Sequence, residues 1–439
     1  MHVRVTAAGL CRTLTGFPDS PQDGAPRGCA VTIASRLVPA SLPSRVSVVG
    51  LGADGWAGLG EVARVRVAGA DVVIGSTRQV ALLPGDDAQQ RQVWPSPLSY
   101  DLLADHADRD VVVLASGDPL LSGIATALRP LVGDRLEVLP AVSSVALARA
   151  RMRWSAEETA VVTTVGRRLE LVVRELAPGR RILVLTSGAG TPADLATLLT
   201  DAGYGASRLT VLGDLGAAHE SRVEGPAADW SAASPALHVV AVECVGPVVG
   251  SWVAGLPDDA YEHDGQLTKR DLRASALARL APQPGQLLWD LGAGAGSVGI
   301  EWLRAHPTCR AHAVERDPAR AERIGRNAAR LGVPGLEVVV GDALDVVPGL
   351  PRPHAIFVGG GATAPGLLDA CREHLAPGGR LVVHGVTLET EQVLAAAYAE
   401  HGGELVRVAV ETAAPIGSFT GWTPARAVTQ WAWTKQDDR

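Results

Sequence analysis

The sequence predicts an α/β protein made of two successive units, each with a sheet of buried strands joined by helices. Three observations carry this. Apolar runs of four to six residues recur along the chain and end in Gly/Ser/Asp loops, with helical segments between them. A glycine-rich turn, Asp290-Leu-Gly-Ala-Gly-Ala-Gly-Ser-Val298, joins one such run to a helix. Of the 439 residues, 47% are apolar but only 4% aromatic, so the cores are rich in Val, Leu and Ala.

The first unit begins at Arg45. Val46–Val49 runs into Gly50-Leu-Gly-Ala-Asp-Gly55, and Asp71–Ile74 into Gly75-Ser-Thr-Arg-Gln79. Asp110–Leu114 ends in Ala115-Ser-Gly-Asp-Pro119, and Leu136–Leu139 in Pro140-Ala-Val-Ser-Ser144. Ile182–Leu185, Leu209–Leu212 and Leu237–Val242 follow. All are expected to be buried parallel strands. Residues 1–44 hold five prolines and no clear periodicity, and are expected to form a disordered extension. The polar segment Gly255–His263 reads as a linker, giving units over 45–256 and 257–439.

In the second unit a helix over Lys269–Leu280 precedes the strand Leu287–Trp289 and the glycine turn. Ala311–Val314 then ends at Glu315, and Glu337–Val340 ends in Gly341-Asp342-Ala343. Ligand groups at successive strand ends mark the carboxyl edge of an open α/β sheet. Leu405–Val410 and Val428–Trp433 alternate and predict an antiparallel hairpin that closes the sheet.

The turn has the spacing Gly-x-Gly-x-Gly and is preceded by an acid, Asp290. A carboxylate there repels phosphate and suits an ammonium group, so the turn favours S-adenosylmethionine (SAM) over a dinucleotide. The bland alternative is a glycine turn that serves only helix–strand packing. Glu315, about 25 residues after Asp290, stands near the offset of a ribose-binding carboxylate.

Net charge is −7, which argues against nucleic acid as partner. An anionic substrate would need local cations, and Arg167-Arg168, Arg180-Arg181 and Lys269-Arg270 are the candidates. The five cysteines are scattered, with no Cys-x-x-Cys, and the histidines form no ligand cluster. A reduced, cytoplasmic protein without a bound metal is expected. The most apolar long window, 237–256, is interrupted by Glu243 and Pro247, so no membrane span is expected.

Several motifs together carry a family resemblance. Gly50–Gly55, Gly75-Ser-Thr-Arg78, Trp94-Pro-Ser-Pro97, Ser116-Gly-Asp-Pro119 and Val142-Ser-Ser144 resemble the tetrapyrrole methylases. Leu267-Thr-Lys-Arg-Asp-Leu-Arg273, the glycine turn, Phe357-Val-Gly-Gly360, Val386-Thr-Leu-Glu389 and Val428-Thr-Gln-Trp431 resemble the class I SAM methyltransferase/decarboxylases of corrin synthesis. The resemblance implies a two-lobed class III methylase fold followed by a Rossmann-like class I fold, with one SAM in each. It implies a tetrapyrrole (precorrin) substrate, methylated at carbon 5 by the first half. The second half would methylate carbon 15 and decarboxylate the carbon-12 acetate arm. A homo-oligomer is also implied.

Cofactor contacts expected in the second half are Thr268, Asp290, Gly292, Ala293, Gly294, Ala295, Gly296, Glu315, Asp342 and Ala343. Those in the first half are Gly117, Asp118, Ser143 and Ser144, and the two serines also suit a helix N-cap. Arg78, Gly359, Gly360 and His384 are substrate candidates. The glycines equally suit a tight turn, and His384 a structural role. No catalytic residue is assigned, because no Ser/His/Asp or paired-carboxylate set stands out and the conjugated macrocycle is already nucleophilic. Two departures from the family pattern stand out. Thr163-Thr-Val-Gly-Arg167 replaces Ser-x-His-Gly-Arg, and His384-Gly385 replaces Asn-Ala. Rival readings are a methyltransferase pair for another acceptor, and a SAM-binding regulatory protein.

Overall fold

Our computed structural model describes residues 42–436 except 87, 187 and 249. The expected extension over 1–41 lies outside the described residues. Residues 42–44 belong to the folded unit: Leu42 is buried, and Arg135 donates to the Leu42 and Pro43 carbonyls.

The first lobe is a five-stranded parallel sheet. Its strands are β1 (Arg45–Leu51), β2 (Val72–Gly75), β3 (Gln90–Val93), β4 (Asp110–Ser116) and β5 (Leu136–Leu139), in the order β3-β2-β4-β1-β5. Central strands are continuous apolar runs because helices cover both faces. The edge strand β3 reads Gln-Arg-Gln-Val and gives no apolar signal, so the sequence reading missed it.

The second lobe contains β6 (Thr159–Thr163), β7 (Arg181–Leu185), β8 (Arg208–Gly213), β9 (Ser221–Pro226) and β10 (His238–Glu243). Their order is β6-β7-β10-β8-β9. The expectation of parallel strands fails here. Only β6–β7 is parallel, while β10 runs antiparallel to both β7 and β8. The loop from β8 is short enough to return directly through polar β9, so no helical crossover intervenes.

The second half carries a seven-stranded sheet. It begins with β11 (Leu287–Leu291), β12 (Arg310–Glu315), β13 (Glu337–Val340), β14 (Ala355–Val358) and β15 (Arg380–Gly385). β16 (Glu404–Val408) follows. β17 (Glu411–Ile416) and β18 (Phe419–Pro424) form a separate ribbon, and β19 (Val428–Thr434) returns to the sheet. The order β13-β12-β11-β14-β15-β19-β16 makes β11 the point where strand order reverses. That reversal opens the crevice in which an α/β sheet binds its ligand. The antiparallel pair at the sheet end is present as β16 and β19. The ribbon between them had no apolar alternation and was not expected.

The segment read as a linker, Gly255–His263, packs on the second core. Leu256 and Tyr261 are buried, and Gly255 N, Leu256 N and Tyr261 Oη all donate to Glu301. The two halves also touch. Arg174 Nε donates to the Arg304 carbonyl at 3.2 Å, and the Arg174 backbone packs against Gly332.

Candidate functional site

A cavity of about 910 Å³ lies at the carboxyl ends of β11 to β15. Gly292, Ala293, Gly294, Glu315, Asp342 and Ala343 line one side of it. Thr268 comes over from the segment before the helix Arg270–Leu280. Gly359, Gly360 and His384 line the other side, at the ends of β14 and β15. The structure therefore brings together ten of the residues singled out in the second half.

The turn needs its glycines. Gly292, Gly294 and Gly296 have φ of +69°, +59° and +75°, where a side chain is strained. A Cβ on Gly294 would stand 2.8 Å from the Gln266 carbonyl, so the Thr268 segment packs against bare backbone. Glu315 is 4% exposed. Its Oε2 accepts from Gly294 N at 2.9 Å and its Oε1 from Asp317 N at 3.1 Å. Each oxygen keeps a lone pair for a further donor such as a ribose hydroxyl.

Three expected contacts do not line the cavity. Asp290 is 1% exposed, and its Oδ2 accepts from Gly299 N at 2.9 Å. Its carboxylate faces the first turn of the helix Ser297–Ala305 and stays out of the cavity lining. Burial, with Glu315 nearby, pushes its pKa up to about 7. Ala295 is buried beneath the turn. Gly296 packs on Ile324, where a Cβ would come within 2.6 Å. These residues shape the turn from below.

Charges of both signs line the cavity, nearly in balance. Lys269, Arg270, Arg316, Arg320 and Arg426 line the cavity against four acids, Asp258, Asp271, Glu315 and Asp342. Arg320 is held by Asp264. Of the candidate cation pairs, only Lys269-Arg270 reaches the cavity. Arg168 pairs with Glu170, Arg180 lies over Trp252, and Arg181 pairs with Glu158. Arg316 and Arg426 were missed, because isolated arginines carry no pattern until the sheet brings them to one edge.

Arg273 anchors the cavity wall from behind. It is fully buried, and its Nη1 donates to the Thr268 carbonyl at 2.5 Å. Its Nε pairs with Glu301 at 2.5 Å. Burial beside Glu301 holds the Tyr261 hydroxyl well above its ordinary pKa, so it stays a donor.

In the first half, the ends of β1, β4 and β5 converge. A Cβ on Gly50 would lie 2.0 Å from the Gly117 carbonyl, and Gly117 adopts φ +60° beside Ser143. Asp118 Oδ1 accepts from Leu120 N at 2.9 Å. Ser143 caps the helix Ser144–Met152 by accepting from Ala146 N at 3.1 Å, which gives it the N-cap role. Arg78 donates to Ser116 Oγ at 3.1 Å, and burial lowers its pKa against the opposing charge of Asp214 of the second lobe. Gly117, Asp118, Ser143, Ser144 and Arg78 thus share one sheet edge.

Comparisons with known proteins match this division. Residues 45–230 match the family described as tetrapyrrole (corrin/porphyrin) methylases, and residues 259–435 match the precorrin methyltransferase domain. The first half has the tetrapyrrole methylase fold and the second a Rossmann-like class I methyltransferase fold. The precorrin-6Y C(5,15)-methyltransferase (decarboxylating) of a Sinorhizobium species is 45% identical over 91% of this chain and 99% of its own. The Mycobacterium tuberculosis protein of that name is 46% identical over 89% of this chain and 100% of its own. A probable cobalt-precorrin-6B C(15)-methyltransferase (decarboxylating) of Pyrobaculum aerophilum is 34% identical over 40% of this chain and 92% of its own. With both folds present in the same fused order and near-complete coverage at this identity, the chain belongs to the decarboxylating precorrin-6Y C(5,15)-methyltransferase family.

Proposed function

We propose that the chain methylates precorrin-6Y at carbons 5 and 15 and removes the carbon-12 acetate carboxylate as carbon dioxide. The carrying observation is the cavity of the second half. Bare glycine backbone and Glu315 form one side, and Lys269, Arg270 and Arg426 bring cations to the same cavity in a chain of net charge −7. That pairing suits a SAM ribose on one side and a polycarboxylate ring on the other.

SAM, when bound, supplies an electrophilic methyl carbon. The chain's own part is to hold, orient and dry the acceptor. Glu315 fixes the ribose with the lone pairs left by Gly294 and Asp317. Lys269, Arg270 and Arg426 draw in carboxylates, and exclusion of water strengthens those contacts. Decarboxylation breaks the carbon–carbon bond to the carboxylate. The electron pair enters the conjugated ring, and a solvent proton completes the new methyl group. No strong protein base is needed for either step.

We assign one SAM to each half, with carbon 5 served by the first and carbon 15 by the second. The likeness of a shorter, separate carbon-15 relative supports that division. The free, buried Cys244, Cys309 and Cys371 suit a reducing cytoplasm. The ribbon β17–β18 exposes Ile416, Phe419 and Trp422, which suits self-association. Phe419→Ser should lower the sedimentation mass if it does. The activity is tested by incubating the chain with SAM and precorrin-6Y and weighing the product. Each methyl replaces a ring hydrogen that leaves to solvent as a proton, so the expected mass gains two CH2 units and loses one carbon dioxide; an unchanged mass defeats the reading.

A further inference from the structure

His384 ends β15 on the cavity wall, two strands beyond the glycine turn of β11. It is 7% exposed, and its ring stands edge-on to Phe357 with centroids 5.0 Å apart. Gln430 faces it directly across the β15–β19 register and is fully buried. His384 Nε2 lies 2.9 Å from the Gln430 amide.

Arg279 decides which end of that amide faces the histidine. Its Nε and Nη1, which can only donate, lie 3.0 and 3.2 Å from the far end of the amide. That end must be the oxygen. The amide nitrogen then points to His384 Nε2 at 2.9 Å and to Ser275 Oγ at 3.3 Å. An amide nitrogen donates and does not accept, so Nε2 carries no proton. The proton of the neutral ring sits on Nδ1. Among the described residues Nδ1 has no hydrogen-bond partner, and it is the ring nitrogen left for the cavity. Burial and the charge of Arg279 hold the His384 pKa down at about 4, so the ring is neutral near pH 7. Arg279 is itself fixed by Glu404, which accepts from Nη2 at 2.5 Å and shares the single Nε hydrogen with the Gln430 oxygen.

We propose that Arg279 and Gln430 lock His384 as its Nδ1–H tautomer, making it a neutral donor that holds a carboxylate oxygen of the acceptor substrate on the β15 side of the cavity. His384 touches the substrate. Gln430 and Arg279 are positioning residues that act through it. The arginines of the wall supply charge, and His384 supplies direction, which a mobile cation does not. The identity of the substrate rests on the proposed function; the tautomer lock does not.

Two measurements test this. Nitrogen NMR of the full chain with labelled histidine, with His384 assigned by its loss in His384→Asn, should show protonated Nδ1 and bare Nε2. Gln430→Leu should mix the two tautomers while the fold persists. A protonated Nε2 in the unmodified chain overturns the lock. Kinetics with SAM and precorrin-6Y supply the second readout. The side-chain amide of Asn can place an N–H near the position of Nδ1, whereas that of Gln reaches toward Nε2. His384→Gln should raise KM for precorrin-6Y by about tenfold. His384→Asn should recover most of that loss, with SAM affinity constant throughout. Equal behaviour of the two variants, or a change confined to SAM affinity, overturns the substrate role. If the unmodified chain leaves precorrin-6Y untouched, the proposed function and this substrate role fall together, while the spectrum still decides the lock.

Discussion

Arg273 and Glu301 meet as a buried ion pair, Nε to Oε1 2.5 Å, and that pair ties the segment between the halves to the cavity wall. Glu301 also accepts from Gly255 N, Leu256 N and Tyr261 Oη, while Arg273 holds the Thr268 carbonyl. Glu301→Gln leaves the buried guanidinium with Asp258, 3.4 Å from Nη1, as its one remaining counter-charge among the described residues. The second half should lose about 3–5 kcal/mol of stability. Chemical unfolding followed by tryptophan fluorescence checks it. Arg273→Met removes the anchor on Thr268 and should weaken SAM in that half as well.

Glu315→Ala should weaken SAM binding in the second half by about 1–3 kcal/mol, because the ribose hydroxyls lose a charged acceptor. Methylation at carbon 5 should persist. Titration calorimetry and product mass check the two parts separately.

Asp290 gives a pH signature. Its pKa in the folded chain is raised to about 7, so its contribution to stability is complete below the ordinary carboxylate range and is lost as pH rises through about 7. Asp290→Asn does not ionise and keeps an oxygen to accept from Gly299. Relative to the native chain, the variant should gain about 4 kcal/mol between acid and mildly alkaline pH. Denaturant melts without SAM at several pH values measure this. A constant difference across pH contradicts it.

The second half should fold alone, provided the cut falls in the right place. Cutting at Asp258-Asp259 would sever Leu256 and the Glu301 contacts from their core. A fragment from Ser251 to Arg439 keeps them and uncovers the patch around Trp252, Arg304 and Gly332 that meets Arg174 of the first half. It should melt cooperatively and bind one SAM. The fragment cut at Asp259 should be markedly less stable.

Glycine turns and strand-end acids were legible in the sequence because their signals are local. Gly292, Gly294 and Glu315 sit where backbone strain and strand register require them. The direction of the Asp290 carboxylate was not legible, for a related reason. A charge in a string of letters has no direction, and burial turned its carboxylate toward Gly299. Polar edges such as β3 and β9 carry no alternation, so they were invisible. His384 and Gln430, 46 positions apart, meet only through the β15–β19 pairing, and Arg279 reaches them from the helix Arg270–Leu280.

The central claim is that two catalytic halves act on one macrocycle. It is tested most directly by carbon NMR of the product made from precorrin-6Y and SAM with an isotopically labelled methyl group. The account predicts label on carbons 5 and 15 only, and an unlabelled methyl at carbon 12 where the acetate stood. Label at a single carbon, label at carbon 12, or an intact acetate arm in the final product would contradict it.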